Sequence, residues 1–304
     1  HVAGTIAAVT NNSTGVAGTA YNAKVVPVRV LGKCGGYTSD IVDAITWASG
    51  GTVSGVPANA NPAEVINMSL GGGGSCSTTY QNAINGAVGR GTTVVVAAGN
   101  ESSNVSTSVP ANCANVVAVA AVTSAGAKAS FSNYGTGIDI SAPGANILST
   151  LNTGTTVPAS ATYASYNGTS MAAPHVAGVV ALMQSVAPSP LSPAQVESII
   201  KSTARPLPGA CSGGCGAGII DADAAVTAAI NGTGGGNPNP GGTVLQNNVP
   251  VTGLGASSGA SLSYTVQVPA GRSQLRVAIS GGSGDADLYV RQGSAPTDTT
   301  YTCR

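Results

Sequence analysis

TVVVAAGN, residues 93–100, is almost wholly apolar for six positions and then breaks to Gly and Asn. Side chains of a strand point alternately to its two faces, so such a run must bury both. That is the environment of an inner strand of a parallel sheet covered by helices. VVPVRVL (25–31), VINMSL (65–70) and NVVAVAAV (115–122) have the same character. Helical patterns lie between the runs. Ser39 or Asp40 is placed to cap a helix carrying Ile41, Ala44, Ile45 and Ala48 on one face. Tyr80, Ile84, Ala87 and Val88 form a second stripe that stops near Gly89–Gly91. SPAQ (192–195) reads as a capping box with Pro at the first helical position, followed by inward-facing Val196, Ile199 and Ile200. Alternating strands and helices predict an α/β fold: a doubly wound, mostly parallel sheet with helices on both faces.

NGTGGGNPNPGG (231–242) is too rich in Gly and Pro to pack a core and reads as a linker. It divides a domain at 1–230 from one at 243–304. In the latter SLSYTVQV (261–268), QLRVAI (274–279) and ADLYVRQ (286–292) alternate and predict strands of a small β-sandwich. TTYTCR ends without a closing strand, and HVAGTIAAV opens without Met or leader, so truncation or processing is expected at both ends.

Composition narrows the function. Only 7% of the 304 residues are charged and the net charge is zero, against roughly 25% charged in an average soluble protein. No basic stripe exists to hold nucleic acid or an anionic membrane. No apolar run reaches the roughly 18 residues that span a bilayer. Six cysteines in a lysine-poor chain point to secretion. No His/Cys cluster accompanies CSGGC (211–215), which argues against zinc.

Ligands of open α/β sheets bind beyond the carboxyl ends of the strands. Here those ends run into LGKCGGYTSD, SLGGGGS and AAGN, each turning from apolar to Gly and polar residues. Two Gly-rich ends side by side are suited to pair with an extended peptide. In YNGTSMAAPHVAGVVALM (166–183), Ser170 falls at a helix N-terminus, where backbone N–H groups favour negative charge. Pro174 is expected near the helix start, where a missing amide hydrogen costs least. A nucleophile at Ser170 would have donors ready for a developing oxyanion.

GTSMAAPHVAG resembles the active-serine motif of the subtilisin-like serine proteases. INMSLGG is similar to that family's substrate-binding strand, VVVAAGN to its oxyanion-asparagine segment, and HVAGTIAAV to the latter part of its histidine motif. The four occur in the family's order across 1–230. The Cys34 loop and CSGGC are closest in character to secreted bacterial, proteinase-K-like members. Residues 243–304 look like the start of a bacterial pre-peptidase C-terminal domain.

The resemblance implies a secreted, monomeric serine endopeptidase acting on extended polypeptides, matured from a propeptide and using no organic cofactor. Ser170 is implied as nucleophile, with Asn100 as side-chain donor to the oxyanion. Gly35, Gly36 and Tyr37 would pair with one edge of the substrate, and Ser69, Leu70 and Gly71 with the other. Ala97, Ala98 and Gly99 would line the specificity pocket, with Ser108 nearby, favouring bulky apolar residues before the cut. TNNSTGV (10–16) resembles a calcium loop in which Asn12 gives a side-chain oxygen and Thr10, Thr14 and Val16 give carbonyls.

His1 matches the family's second, structural histidine, which places the general base and its aspartate upstream. His175 does not replace the base, because five helical residues turn about 500° and leave it about 140° from the face of Ser170. The fragment alone is therefore expected to be inactive. Of 15 possible cysteine connectivities, Cys34–Cys76 would brace the cleft and Cys211–Cys215 would close a short loop. Cys113 and Cys303 would find partners outside the chain. Two other readings compete. An esterase of the α/β-hydrolase fold needs a histidine well beyond its serine, and His175 is the last one. A dead protease scaffold serving in adhesion would lack the upstream base.

Overall fold

The computed structural model describes residues 1–231, 243–245, 264–266, 268, 275–280 and 287–292. The chain forms two compact units, His1–Gly234 and Gly235–Arg304. In chain order the first unit contains α1 (Val2–Ala7), α2 (Thr38–Ala48), β1 (Val65–Met68), β2 (Gly72–Gly73), α3 (Thr78–Gly89), β3 (Thr93–Ala97), β4 (Ser108–Val109), β5 (Val117–Val122), β6 (Ile140–Pro143), β7 (Ile147–Asn152), β8 (Ala161–Tyr166), α4 (Thr169–Val186), α5 (Pro193–Ser202) and α6 (Ala222–Ile230). The second contains β9 (Thr243–Leu245) and β10 (Tyr264–Val266), which pair in parallel.

The main sheet has the order β1-β3-β5-β6, parallel throughout. Its inner strands are buried on both faces, and their alternation divides the core in two. Val94, Val96 and Ala98 pack with Ala118 and Ala120 of β5 and with Ile41, Ile45, Tyr80 and Ile84, the faces of α2 and α3. Val95 and Ala97 pack with Val119 and Ala121 of β5, with Ala173, Val176 and Val180 of α4, and with Ile199 and Ile200 of α5. Each buried valine contributes roughly 1.5–3 kcal/mol. The doubly wound α/β arrangement predicted from the apolar runs is thus the observed one.

α4 is the central helix, buried on almost every side. Its small residues permit close packing; a side chain on Gly178 would overlap Thr19. α5 carries the predicted capping box, with Ser192 Oγ accepting from Gln195 N and Pro193 at its first position. α3 begins at Ser77, whose side chain accepts from Tyr80 N.

Several expectations are corrected. Residues 25–31 form no strand. A strand is held by its ladder, and this run finds no ladder partner among the described residues, so Val25, Val26, Val28 and Leu31 lie exposed. α2 is capped at Tyr37 without a side-chain bond, because the helix starts at Thr38, before Ser39 and Asp40. In the second unit 264–266 is a strand, 275–280 is not, and 287–292 contains only a bridge at Val290. Cys76 pairs with Cys113, not Cys34. Gln81 on α3 exchanges hydrogen bonds with the backbone of Ala114, which brings Cys113 beside the start of that helix. Cys34 is exposed and unpaired. Cys211–Cys215 forms as expected, and Cys303 lies outside the described residues. No helix among the described residues is long and apolar enough to cross a membrane.

Candidate active site

Ser170 is the second residue of α4, partly accessible beyond the carboxyl ends of the strands. Gly168 caps the helix at φ +156. A side chain there would lie against Met171 Sδ and Asn100 Oδ1. The N–H of Ser170, in the first turn, has no partner within the helix.

Pro174 lies beyond the four positions whose N–H groups are free in any helix, which corrects the expectation from sequence. Its ring nitrogen cannot bond the carbonyl of Ser170 four residues earlier. Ser69 Oγ supplies the missing donor at 2.8 Å, and Asn67 Nδ2 donates to Ser69 Oγ at 2.9 Å. In return Ser170 Oγ donates to the carbonyl of Ser69 at 3.4 Å. The segment after β1 is thus stitched to the serine.

Asn100 follows β3 and meets α4 through Thr169. Its Oδ1 accepts from Thr169 N at 2.8 Å and from Thr169 Oγ1 at 3.0 Å. Thr169 Oγ1 also accepts from Gly99 N at 3.1 Å, and the threonine is fully buried. Two donors on Oδ1 fix the orientation of the carboxamide and leave its NH₂ group for an external acceptor. The Asn100 carboxamide and the N–H of Ser170 thus meet at the N-terminus of α4 through Thr169. Such donors stabilise charge as it develops.

Gly99 adopts φ +104, and a side chain there would overlap Asn133 Nδ2 and Glu101 Oε2. Ser108 Oγ accepts from Asn133 Nδ2 at 2.8 Å, so Gly99 and Ser108 share one neighbourhood. The side chains of Ala97 and Ala98 point into the two opposite cores, so only their backbone can line a pocket. Beyond Ser69 and Leu70, Gly71 leads into β2, which pairs antiparallel with β4. Among the described residues Gly35, Gly36 and Tyr37 share no hydrogen bond with Ser170 or Asn100. Their loop closes on itself through a Gly32–Gly35 bridge, and Tyr37 is 79% exposed. With Arg29, Cys34 and Asp40 they line a shallow cavity of about 420 Å³.

Neither histidine reaches Ser170. His1 Nε2 donates to the carbonyls of Ile147 and Ala164 at 3.0 and 2.9 Å, and its ring stacks on Tyr166. His175 Nδ1 donates to the carbonyl of Met171 at 2.8 Å. Burial pushes the His175 imidazole below its ordinary value, although that carbonyl opposes the shift.

The 10–16 loop does not by itself fit calcium. Asn12 Oδ1 accepts from its own Thr14 N at 3.1 Å, and four neutral oxygens fall short of the six to eight that the ion takes. Among the described residues no three His, Cys, Asp or Glu side chains gather as a metal site. Sequence reading missed Thr169, Asn67 and Asn133. Thr169 lies inside the GTSMAAPHVAG motif, but nothing in the spacing shows that its hydroxyl spans two loops.

A parallel α/β sheet with a serine at a helix tip and an oriented carboxamide beside it defines a class of nucleophile-bearing scaffolds. Within that class the subtilase family model matches residues 1–219, and a bacterial pre-peptidase C-terminal domain model matches residues 260–304. An extracellular protease of Xanthomonas campestris is 79% identical over 304 residues, 100% of this chain and 52% of that protein. Subtilisin Savinase of Lederbergia lenta is 45% identical over 226 residues, covering 74% of this chain and 76% of that protein. A solved protease structure from Pseudoalteromonas arctica superposes with a TM-score of 0.73 at 61% identity, covering 75% of this chain and 70% of the other. The chain belongs to the subtilase family. It spans about half the length of several curated relatives that it matches, the Xanthomonas protein among them.

Proposed function

We propose that this chain carries the nucleophile and oxyanion donors of a secreted serine endopeptidase. Ser170 Oγ attacks the peptide carbonyl, and the oxyanion is held by Asn100 Nδ2 and the N–H of Ser170. The C–N bond then breaks, the departing amine carries off the proton lost from Oγ, and water hydrolyses the acyl-enzyme left on Ser170. One observation carries the reading: Thr169 occupies Asn100 Oδ1 twice, so the carboxamide presents N–H groups beside the serine. Family membership and relatives named extracellular proteases support both the chemistry and secretion.

In this reading Ser69, Leu70 and Gly71 pair with the substrate backbone on one side, and Gly35, Gly36 and Tyr37 on the other. Bulky apolar residues before the cut enter the space near Gly99 and Ser108. Residues 1–230 form the peptidase domain, 231–242 the linker and 243–304 the appended domain. Calcium on Thr10, Asn12, Thr14 and Val16 needs further oxygen ligands, and no catalytic step depends on it.

The test is peptide hydrolysis by the full-length gene product, with and without Ser170→Ala. The reading expects hydrolysis to vanish in the variant while the fold persists. Undiminished turnover by Ser170→Ala overturns it.

A further inference from the structure

The loop bearing Asn100 is held on one side by Thr169 and on the other by the segment 131–134, where one buried side chain contacts the residues nearest Asn100. Asn133 comes from the connection between β5 and β6 and is fully buried. Its Nδ2 shares two hydrogens among three acceptors, Ala98 O at 3.0 Å, Glu101 Oε2 at 2.8 Å and Ser108 Oγ at 2.8 Å. Its Oδ1 accepts from Glu101 N at 3.0 Å and from Ser103 N at 2.9 Å. Its own N–H donates to Gly99 O at 3.1 Å. Glu101 Oε2 in turn accepts from Asn100 N at 2.9 Å.

Every partner is a near neighbour of Asn100 in sequence or lies on the opposite wall at Ser108. Backbone bonds from Ser102 N to Phe131 O and from Tyr134 N to Ser103 O tie down the far part of the loop, and the Asn133 side chain holds the part next to Asn100. A carboxamide suits the place because it offers donors to one side and an acceptor to the other. Burying so polar a group is costly unless its partners are all met, and a network met in full is rigid.

We propose that Asn133 is a positioning residue for the Asn100 carboxamide, acting through Gly99 and Glu101. The proposal rests on the reading of Asn100 as oxyanion donor. Asn133 touches no reacting atom. It sets where the donor points, and a donor misplaced by about 1 Å can lose about 100-fold in rate.

The experiment is a double-mutant cycle on kcat in the full-length protease, using Asn100→Ala, Asn133→Ala and the pair. Asn100→Ala is expected to lower kcat about 100- to 1000-fold, the scale measured when a subtilisin loses its oxyanion asparagine. Asn133→Ala is expected to lower kcat about 10- to 100-fold in the parent and less than about 2-fold once Asn100 is gone. Equal losses in both backgrounds overturn the proposal and leave the function standing. No loss of kcat in Asn100→Ala overturns the oxyanion reading itself.

Should Asn133→Ala not fold, exposed Glu101 provides the same cycle. Glu101→Ala should lose kcat only when Asn100 is present, and Glu101→Gln, which keeps the acceptor, should restore it. A Gln variant as slow as the Ala variant overturns the hydrogen-bond argument.

Discussion

Replacing Thr169 by Val separates the two services of one buried hydroxyl. Thr169 Oγ1 accepts from Gly99 N and donates to Asn100 Oδ1. Valine keeps the shape and loses both bonds. Leaving the Gly99 N–H unpaired costs about 1–3 kcal/mol, and the lost bond to Asn100 about 1 kcal/mol more. The fold should lose about 2–4 kcal/mol, or roughly 4–16 °C in Tm for a domain of this size. Unfolding is best followed by circular dichroism in a Ser170→Ala background, where self-digestion cannot interfere. With one of its two restraints gone, Asn100 should sample misaligned orientations. At about 1.4 kcal/mol per tenfold, kcat should fall about three- to tenfold with KM within about twofold. Thr169→Ser keeps the hydroxyl and should behave as the parent. A valine variant with parental Tm and kcat, or a serine variant equally impaired, refutes the assignment.

Ser69→Ala strands the Ser170 carbonyl that Pro174 cannot serve and should lower kcat severalfold, about 1 kcal/mol, as steady-state kinetics will show. His175 gives a pH signature. Its folded pKa lies below 6.5, so the unfolded chain takes the proton first. Stability is full above pH 6.5, falls as pH drops below it, and levels once the folded pKa is passed. His175→Asn keeps a donor for Met171 O, and Tm scans from pH 7.5 to 4.5 should show this acid loss reduced. Removing Cys76–Cys113, which closes a 37-residue separation, by the double alanine variant should cost up to about 4 kcal/mol in urea unfolding.

Much of the architecture was legible because burial on both faces leaves an unmistakable pattern. β1, β3 and β5 announced themselves through runs of Val, Ile and Ala, and α5 through its capping box. What stayed hidden depends on partners distant in sequence. Residues 25–31 have the composition of a strand, but pairing makes a strand and composition only permits it. β6 is four residues ending in Pro143, and its neighbours read as turns. The β7–β8 hairpin is rich in Ser and Thr and partly exposed, so its alternation carries little apolar contrast. Ser170 and Asn100 were readable as motif residues at a helix tip and a strand end. Asn133 was not, since an Asn between Ser and Tyr looks like any loop residue until its neighbours in space are seen. The Cys76–Cys113 pairing likewise follows from Gln81 meeting Ala114, a contact no spacing rule supplies.

The most direct measurement is a crystal structure of the full-length protein after reaction with diisopropyl fluorophosphate. The phosphoryl group should sit on Ser170 Oγ, with one non-ester oxygen within hydrogen-bond distance of both Asn100 Nδ2 and the N–H of Ser170. An adduct on another residue, or one on Ser170 whose oxygen turns away from Asn100, contradicts the account.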